Sequence, residues 1–492
     1  MMNTLTKIKT FFFLLLSPLV FSCDKSDVGS EQTPMGTAIS YLLPNRGYEG
    51  QNMIIVGHNF GNSTEGIEID FGGRALTPNA ISDKAISVTI PEFAGEAELG
   101  VSVVINGKKT NVTRFFFTER ETINPQPIGT RITNTGHLVD GQVREVRSLR
   151  GAGPFIRLNN GSIFTVAEGS SVASISYDEG LTWTSYDILP NANYSFLSPY
   201  FTVAADGSVV VGFSNGREIV PLNWNTSTKS YNPNATLPTY TIRSTDHGRT
   251  WGTPVKLHDE WTGMNRDMIT LNNGKIVFAT MKMFNHPGRH TVLTYTSADN
   301  GMSWQASNVL HQPGSPSGDH AGFMESTLTE LTDGRLWMLI RTNLDYMYET
   351  YSNDDGLTWS TPQRMNIDAS SSPAVLKRLQ SGRLILVWNR LYPEGRTEYH
   401  RMSGDGNLAE VAASWHRDEL SMMFSDDEGA SWSDPVIVAK NHLHAPSTPA
   451  NAWDQSKWLS YPLLFEVRPG VIWLTTGHGG LKIEFKEEEY IN

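Results

Sequence analysis

The sequence holds one cysteine in 492 residues, so no disulfide can form within the chain and its stability must come from packing. It also lacks a basic excess: 39 Lys and Arg stand against 51 Asp and Glu, a formal net charge of −12. Without a basic stripe to displace counterions from phosphates, nucleic acid is excluded as a partner class. Any anionic ligand must then be held by a few local cations. Helix-favouring stretches are scarce beyond residue 35, and no apolar run after the first 22 residues is long enough to span a bilayer. What the chain has in quantity is 43 Gly, 25 Pro and 13 Trp, which points to an all-β protein with many turns. Its length exceeds what one hydrophobic core serves, so at least two domains are expected.

The first segment carries Lys7 and Lys9, an apolar run over 11–16 that continues to Phe21, and Ser22 directly before Cys23. A charged start, an apolar middle and a small residue at the cleavage point make residues 1–22 a targeting segment. The pattern resembles a bacterial lipoprotein signal, which implies lipidation of Cys23 and anchorage in the bacterial cell envelope by the lipid alone. Residues 23–35 are polar and read as a tether. Over 36–120, short apolar runs alternate with turn residues: Met53-Ile-Ile-Val56, Ile67-Glu-Ile-Asp-Phe71, Ala85-Ile-Ser-Val-Thr-Ile90 and 99–105. This is the rhythm of a small β-sandwich. Through Pro44-Asn-Arg-Gly47, the turn at 57–61 and Phe71-Gly-Gly73 it resembles the immunoglobulin-like IPT/TIG family, which implies a spacer or interaction unit.

From about residue 125 to 492 the chain repeats itself. Ser-x-Asp-x-Gly-x-x-Trp occurs five times, at 176–183, 244–251, 297–304, 352–359 and 425–432. In each copy the Asp (178, 246, 299, 354, 427) can accept backbone N–H groups across a tight turn, the Gly supplies the turn's dihedrals and the Trp packs the hairpin. These are exposed structural staples and not catalytic groups. A second repeat, a turn glycine before an apolar strand, occurs six times and begins at Gly161, Gly207, Gly274, Gly334, Gly382 and Gly470. Six such strands predict a six-bladed β-propeller, closed by a last blade running through 481–485. Loops converge at the mouth of such a ring, so functional residues should be scattered in sequence and gathered in space.

Five Asp-boxes on a six-blade pattern resemble the sialidase superfamily, from about residue 140 to the end. That resemblance implies three arginines clamping a substrate carboxylate, a tyrosine nucleophile with a glutamate partner, and an aspartate as acid and base. Leu149-Arg150 ahead of Ala167-Glu168-Gly169 is similar to the family's first clamp segment, which makes Arg150 the first arginine and Glu168 its neighbour; Arg147 and Arg157 lie close by. Glu325, in Met324-Glu325-Ser326, and Arg341, in Ile340-Arg341-Thr342, resemble the glutamate strand and the second arginine. Arg417 before the fifth Asp-box resembles the third, and Tyr461 in Ser460-Tyr461-Pro462 the nucleophile.

The chemistry requires these types together. Guanidinium groups are permanently charged planar forks that orient a carboxylate. A neutral phenol deprotonated by Glu325 avoids the repulsion that an anionic nucleophile would meet beside that carboxylate. The family's acid/base aspartate has no counterpart, because 168–176 passes almost directly into the first Asp-box. Asp267, Asp319 and His320 are the candidates to replace it. The expectation is an exo-glycosidase that releases a terminal sialic acid or a related acidic sugar with retention, the alternative being a glycan-binding lipoprotein of no or altered activity. Neither a cofactor nor a metal is expected, since His286, His290, His442 and His444 form no recognised metal-ligand spacing.

Overall fold

The structure, a computed structural model, describes residues 37–43, 46–47, 49–50, 52–95, 97–117, 131–133, 135–189, 192–312, 317–404, 409–441 and 458–491. The targeting segment, Cys23 and the tether lie outside the described residues.

Period-two alternation builds the N-terminal domain. Along Ile67–Phe71 the apolar residues face inward and the acidic ones outward, and the same rule over Asn52–His58 and Ala85–Thr89 gives two sheets one apolar face each. One sheet runs Ala38–Leu43, Asn52–His58, Ala85–Thr89, Ala80–Ser82. The other runs Arg46–Gly47, Thr113–Phe117, Ala97–Ile105, Ile67–Phe71, Arg74–Leu76. Met53, Ile55, Ile69, Phe71, Val101 and Phe115 are fully buried between them.

Among the described residues, six further sheets form the blades of the propeller. Their innermost strands are Ile156–Arg157, Phe196–Val203, Asp267–Thr270, Met324–Glu330, Val375–Arg378 and Ser460–Arg468. The ring is closed from the N-terminal side. In the sixth blade Arg144–Glu145 forms the outer strand, pairing with Glu484 and Ile483, so chain segments more than 300 residues apart share one sheet. The segment His137–Val139 extends the fifth blade by pairing with Val436–Asn441.

The two sequence repeats are two halves of one joint. In the first Asp-box, Asp178 accepts from the Thr182 backbone N–H at 2.8 Å and from its hydroxyl at 2.5 Å, while Ser176 donates to Asp178 and accepts from the Gly180 N–H. The same bonds recur around Asp246, Asp299, Asp354 and Asp427. Each box presses its glycine against the fourth residue of the other repeat in the preceding blade: Gly180 on Trp473, Gly248 on Phe164, Gly301 on Val210, Gly356 on Val277 and Gly429 on Trp337. The staples are therefore not simply exposed, as the sequence reading had them, because their inner sides are inter-blade packing; Trp359 is buried.

These boxes join third to fourth strands and thus occupy one end of the ring. The starts of the inner strands and the ends of the second strands lie at the other end, where the candidate site forms.

Gly180 lies on the closing seam with φ +80, and a Cβ there would come within 2.6 Å of the Trp473 ring; Gly161 has φ +85 with nothing within 4 Å. Gly180→Ala should therefore destabilise the propeller by about 1–3 kcal/mol more than Gly161→Ala, which carries only the backbone cost. Tryptophan fluorescence in a urea titration measures this, since every Trp lies at or beyond residue 183. Equal losses in the two variants would show that the seam does not depend on that contact.

Candidate functional site

At the mouth a cavity of about 660 Å³ is lined by residues of several blades, Glu168, His290, Asp319, His320, Glu325, Arg341, Trp415, Arg417, Trp458, Tyr461 and His478 among them. Local backbone irregularities aim two of these. Met324 pairs with Arg341 and Ser326 with Ile340, so Glu325 is the extra residue of a bulge, and its N–H meets Met281 Sδ at 3.2 Å. Tyr461 has φ +61, a conformation in which a bulky residue costs about 1–3 kcal/mol. Gly477 faces it, and a Cβ there would stand 3.0 Å from Tyr461 Cβ.

The two irregular residues meet. Tyr461 Oη donates to Glu325 Oε1 at 2.6 Å, and Arg341 Nη1 donates to Glu325 Oε2 at 2.5 Å. Arg341 ends its strand, Leu336–Arg341, and its Nη2 donates to Ser371 Oγ at 3.2 Å. Arg417 Nη2 donates to the Ser371 carbonyl at 2.8 Å, so one serine spaces two guanidinium groups. The Arg417 guanidinium lies 4.3 Å from the Trp458 ring, 4.8 Å from Trp415 and 5.5 Å from Tyr461, an aromatic cage for a cation.

Arg417 is 1% exposed, and among the described residues it has no carboxylate within ion-pair distance. Its Nε and that of Arg341 are buried without a hydrogen-bond partner. A third guanidinium stands behind the phenol: Arg266 donates to Tyr200 Oη and to the Pro462 carbonyl, each at 2.6 Å, with its Cζ 5.4 Å from the Tyr461 ring. Three buried cations thus surround one carboxylate.

The titrations follow from that imbalance. Burial pushes the Glu325 carboxyl up, but the Arg341 charge and the bonds from Tyr461 and Arg341 outweigh it and hold it down at about 2. Burial, then the Glu325 charge, raises the Tyr461 phenol, against Arg341 and Arg417. Burial and the neighbouring Arg341 bring Arg417 down to about 10. His478 stacks edge-on to Tyr461 at 4.6 Å, and burial with the Arg417 charge lowers it to about 3. The resting site is therefore a neutral phenol bonded to a carboxylate, beside a neutral imidazole and the Arg417 guanidinium, which has no carboxylate partner among the described residues.

Of the residues named from sequence, Glu325, Arg341, Arg417 and Tyr461 come together, and Glu168, Asp319 and His320 line the same cavity. Arg150 does not join them. Its neighbour Leu149 is drawn into the seam with Phe155 and Trp473, which leaves Arg150 exposed. Asp267 also turns away: its carboxylate accepts from Thr327 Oγ1 at 2.9 Å and from the Leu328 N–H at 2.8 Å, stitching the third blade to the fourth. Sequence reasoning missed Arg266, Ser371, Trp415, Trp458 and His478. The available signal was position, since Arg266 directly precedes an inner strand and His478 ends a second strand.

Residues 221–474 match the family described as BNR repeat-like domain, and residues 37–118 match the IPT/TIG domain. No curated protein matches the chain. Among solved structures, a protein of unknown function from Dyadobacter fermentans is 16% identical, with a TM-score of 0.46 over 70% of this chain and 98% of its own. The NanB sialidase of Streptococcus pneumoniae is 12% identical, with a TM-score of 0.47 over 90% of this chain and 84% of its own. An auxiliary nutrient binding protein from Bacteroides ovatus is 10% identical, with a TM-score of 0.35 over 91% and 97%. The activities those names carry belong to those proteins.

The Glu325 carboxyl titrates at about 2 in the folded chain against an ordinary 4.5, so the stability it contributes is complete above pH 4.5 and is lost as pH falls toward 2. Across that window the unfolding free energy of the wild type should fall more steeply than that of Glu325→Gln, measured by urea titration at each pH. Parallel curves would mean that Arg341 and Tyr461 do not hold the carboxylate.

Proposed function

We propose, for a chain that belongs to the BNR repeat-like domain family, that the mouth binds a terminal sugar bearing a carboxylate and cleaves its glycosidic bond with retention, as a sialidase-like exo-glycosidase. The observation that carries this reading is Arg417: a guanidinium buried with no counter-ion among the described residues is costly, and a carboxylate set between Arg417 and Arg341 would offset that cost through donors that have no partner there. Arg341 and Arg417 would grip the carboxylate, Tyr461 would attack the anomeric carbon, and Glu325 would take the phenol proton. A carboxylate at about 2 is a weak base. A bound substrate carboxylate would draw part of the Arg341 charge to itself, and Glu325 would become more basic at the moment the phenol must lose its proton. Glu168, at the rim of the same cavity, would contact the sugar.

A second reading is favoured by one observation, the lack of any aspartate over 169–175: the same cavity would hold an acidic glycan without cleaving it. In either reading the segment up to Cys23 supports a lipid-anchored place in a bacterial cell envelope.

With sialyl conjugates as substrate, Tyr461→Phe should lose roughly 10³-fold or more in kcat yet still bind a dehydrated sialic acid analogue. Arg417→Met should lose about 10²-fold in affinity for that analogue while remaining folded. Calorimetry and product assays measure both. Binding without turnover by the wild type would leave the second reading, and a wild type that binds no acidic sugar would sink both.

A further inference from the structure

Arg266 is a buried cation that the glycosidase reading leaves without a role. It is 5% exposed and does not line the cavity, so it cannot grip a ligand. It directly precedes the inner strand of the third blade, Asp267–Thr270. Both of its terminal nitrogens donate to neutral oxygens: Nη1 to Tyr200 Oη on the second blade and Nη2 to the Pro462 carbonyl on the sixth, each at 2.6 Å. In a ring of six the third and sixth blades face each other across the axis. The bond from Nη2 therefore spans that axis.

The strand it reaches is the one that needs support. Pro462 follows Tyr461, whose φ of +61 is unfavourable for a bulky side chain. Ser460 pairs with His478 and Pro462 with Thr476, but a proline has no N–H to give to the ladder and offers only a carbonyl. Arg266 takes that carbonyl. Its guanidinium carbon also lies 5.4 Å from the Tyr461 ring and 5.9 Å from the Tyr200 ring. At its far end the Tyr461 side chain donates from Oη to Glu325 Oε1 at 2.6 Å. The phenol is thus held at its hydroxyl from the fourth blade, and at its ring and the adjoining backbone from the third.

Burying a guanidinium costs more than burying an apolar side chain of its size, and what it offers in return is a planar fork that holds two acceptors at fixed angles. We propose that Arg266 is a positioning residue for Tyr461. From across the ring axis it fixes the irregular backbone and the ring of the attacking phenol, so that Oη stays bonded to Glu325 and aimed at the anomeric carbon. The proposal rests on the acidic-glycosidase reading. Under that reading the three buried arginines divide the work: Arg341 and Arg417 serve affinity, whereas Arg266 serves rate and leaves affinity alone.

The test uses the full chain and 2,3-difluorosialic acid, whose anomeric fluoride departs without a proton. The bond from the anomeric carbon to fluorine breaks as the bond to Tyr461 Oη forms, the phenol proton passes to Glu325, and fluoride leaves. Intact-protein mass spectrometry follows the adduct. Arg266→Met should slow labelling by about 10²-fold, the loss that a misplacement of about 1 Å brings, while its affinity for a dehydrated sialic acid analogue, measured by calorimetry, stays within about threefold of the wild type. Tyr200→Phe removes one end of the brace with almost no change of volume and should show the same split at about tenfold. It decides the matter if thermal unfolding shows Arg266→Met to be unstable. Labelling at the wild-type rate, or a loss of affinity as large as the loss of rate, would overturn the positioning role while a labelled wild type keeps the glycosidase reading. A wild type that is never labelled would end both.

Discussion

Burying positive charge without enough negative charge beside it is the constraint to which the mouth of this propeller is built. Arg266, Arg341 and Arg417 are each about 5% exposed or less, and among the described residues Glu325 is the one carboxylate hydrogen-bonded among them. A flexible protein would relax such an arrangement by letting a side chain swing into water. Here each guanidinium is held by groups the backbone cannot easily move: the Ser371 carbonyl for Arg417, the Pro462 carbonyl for Arg266, and the bulged Glu325 for Arg341. Cation–π contact with Trp415 and Trp458 recovers part of the lost hydration. The rest of the cost is sustained by the ring.

That dependence gives the sequence repeats their meaning. Each Asp-box fastens one blade to the preceding one through its glycine, at the end of the ring away from the mouth. The sixth blade has no box, and Glu487 stands in its place, accepting from Ser381 Oγ and pairing with Arg383 of the fifth blade. The joint is thus kept by different chemistry where the chain ends. Stiffness generated at one face lets the other face tolerate a tyrosine at φ +61 and a bulged glutamate, local irregularities that bring Tyr461 and Glu325 together.

How far the sequence could be read follows from the same division. The blades were legible because their joint repeats, and a repeat carries its own register. Glu325, Arg341, Arg417 and Tyr461 were legible because they sit at fixed places relative to those repeats. Arg150 was misjudged because 140–155 precedes the first repeat, so nothing calibrates it. The apolar demand of the seam took Leu149 inward and left the next residue facing water. Arg266 and Asp267 show a subtler failure. Neighbours on a strand point to opposite sides, so the two cannot serve one site together. Asp267 binds the next blade and Arg266 reaches the phenol, a choice that only the packing of Thr327 and Leu328 reveals. Ser371, Trp415 and Trp458 belong to no repeat, and their roles depend entirely on what the ring brings beside them.

Under the proposed reading, the electrostatics would favour a carboxylate ligand at this mouth over a neutral one. In the resting site Arg341 is committed to Glu325, and Glu325 to Tyr461, a closed loop of bonds in which the phenol cannot easily lose its proton to a carboxyl held at about 2. Arg417, in contrast, has no carboxylate partner among the described residues. A neutral sugar would leave that cation as it stands and Glu325 as tightly held as before. A carboxylate placed between Arg417 and Arg341 would do two things with one charge. It would give Arg417 the counter-ion it lacks, and it would compete with Glu325 for Arg341, so the base is released only when the ligand that needs it has arrived. Selection for the acidic ligand and activation of the phenol would then be the same event, and the uncompensated charge at the axis is what couples them.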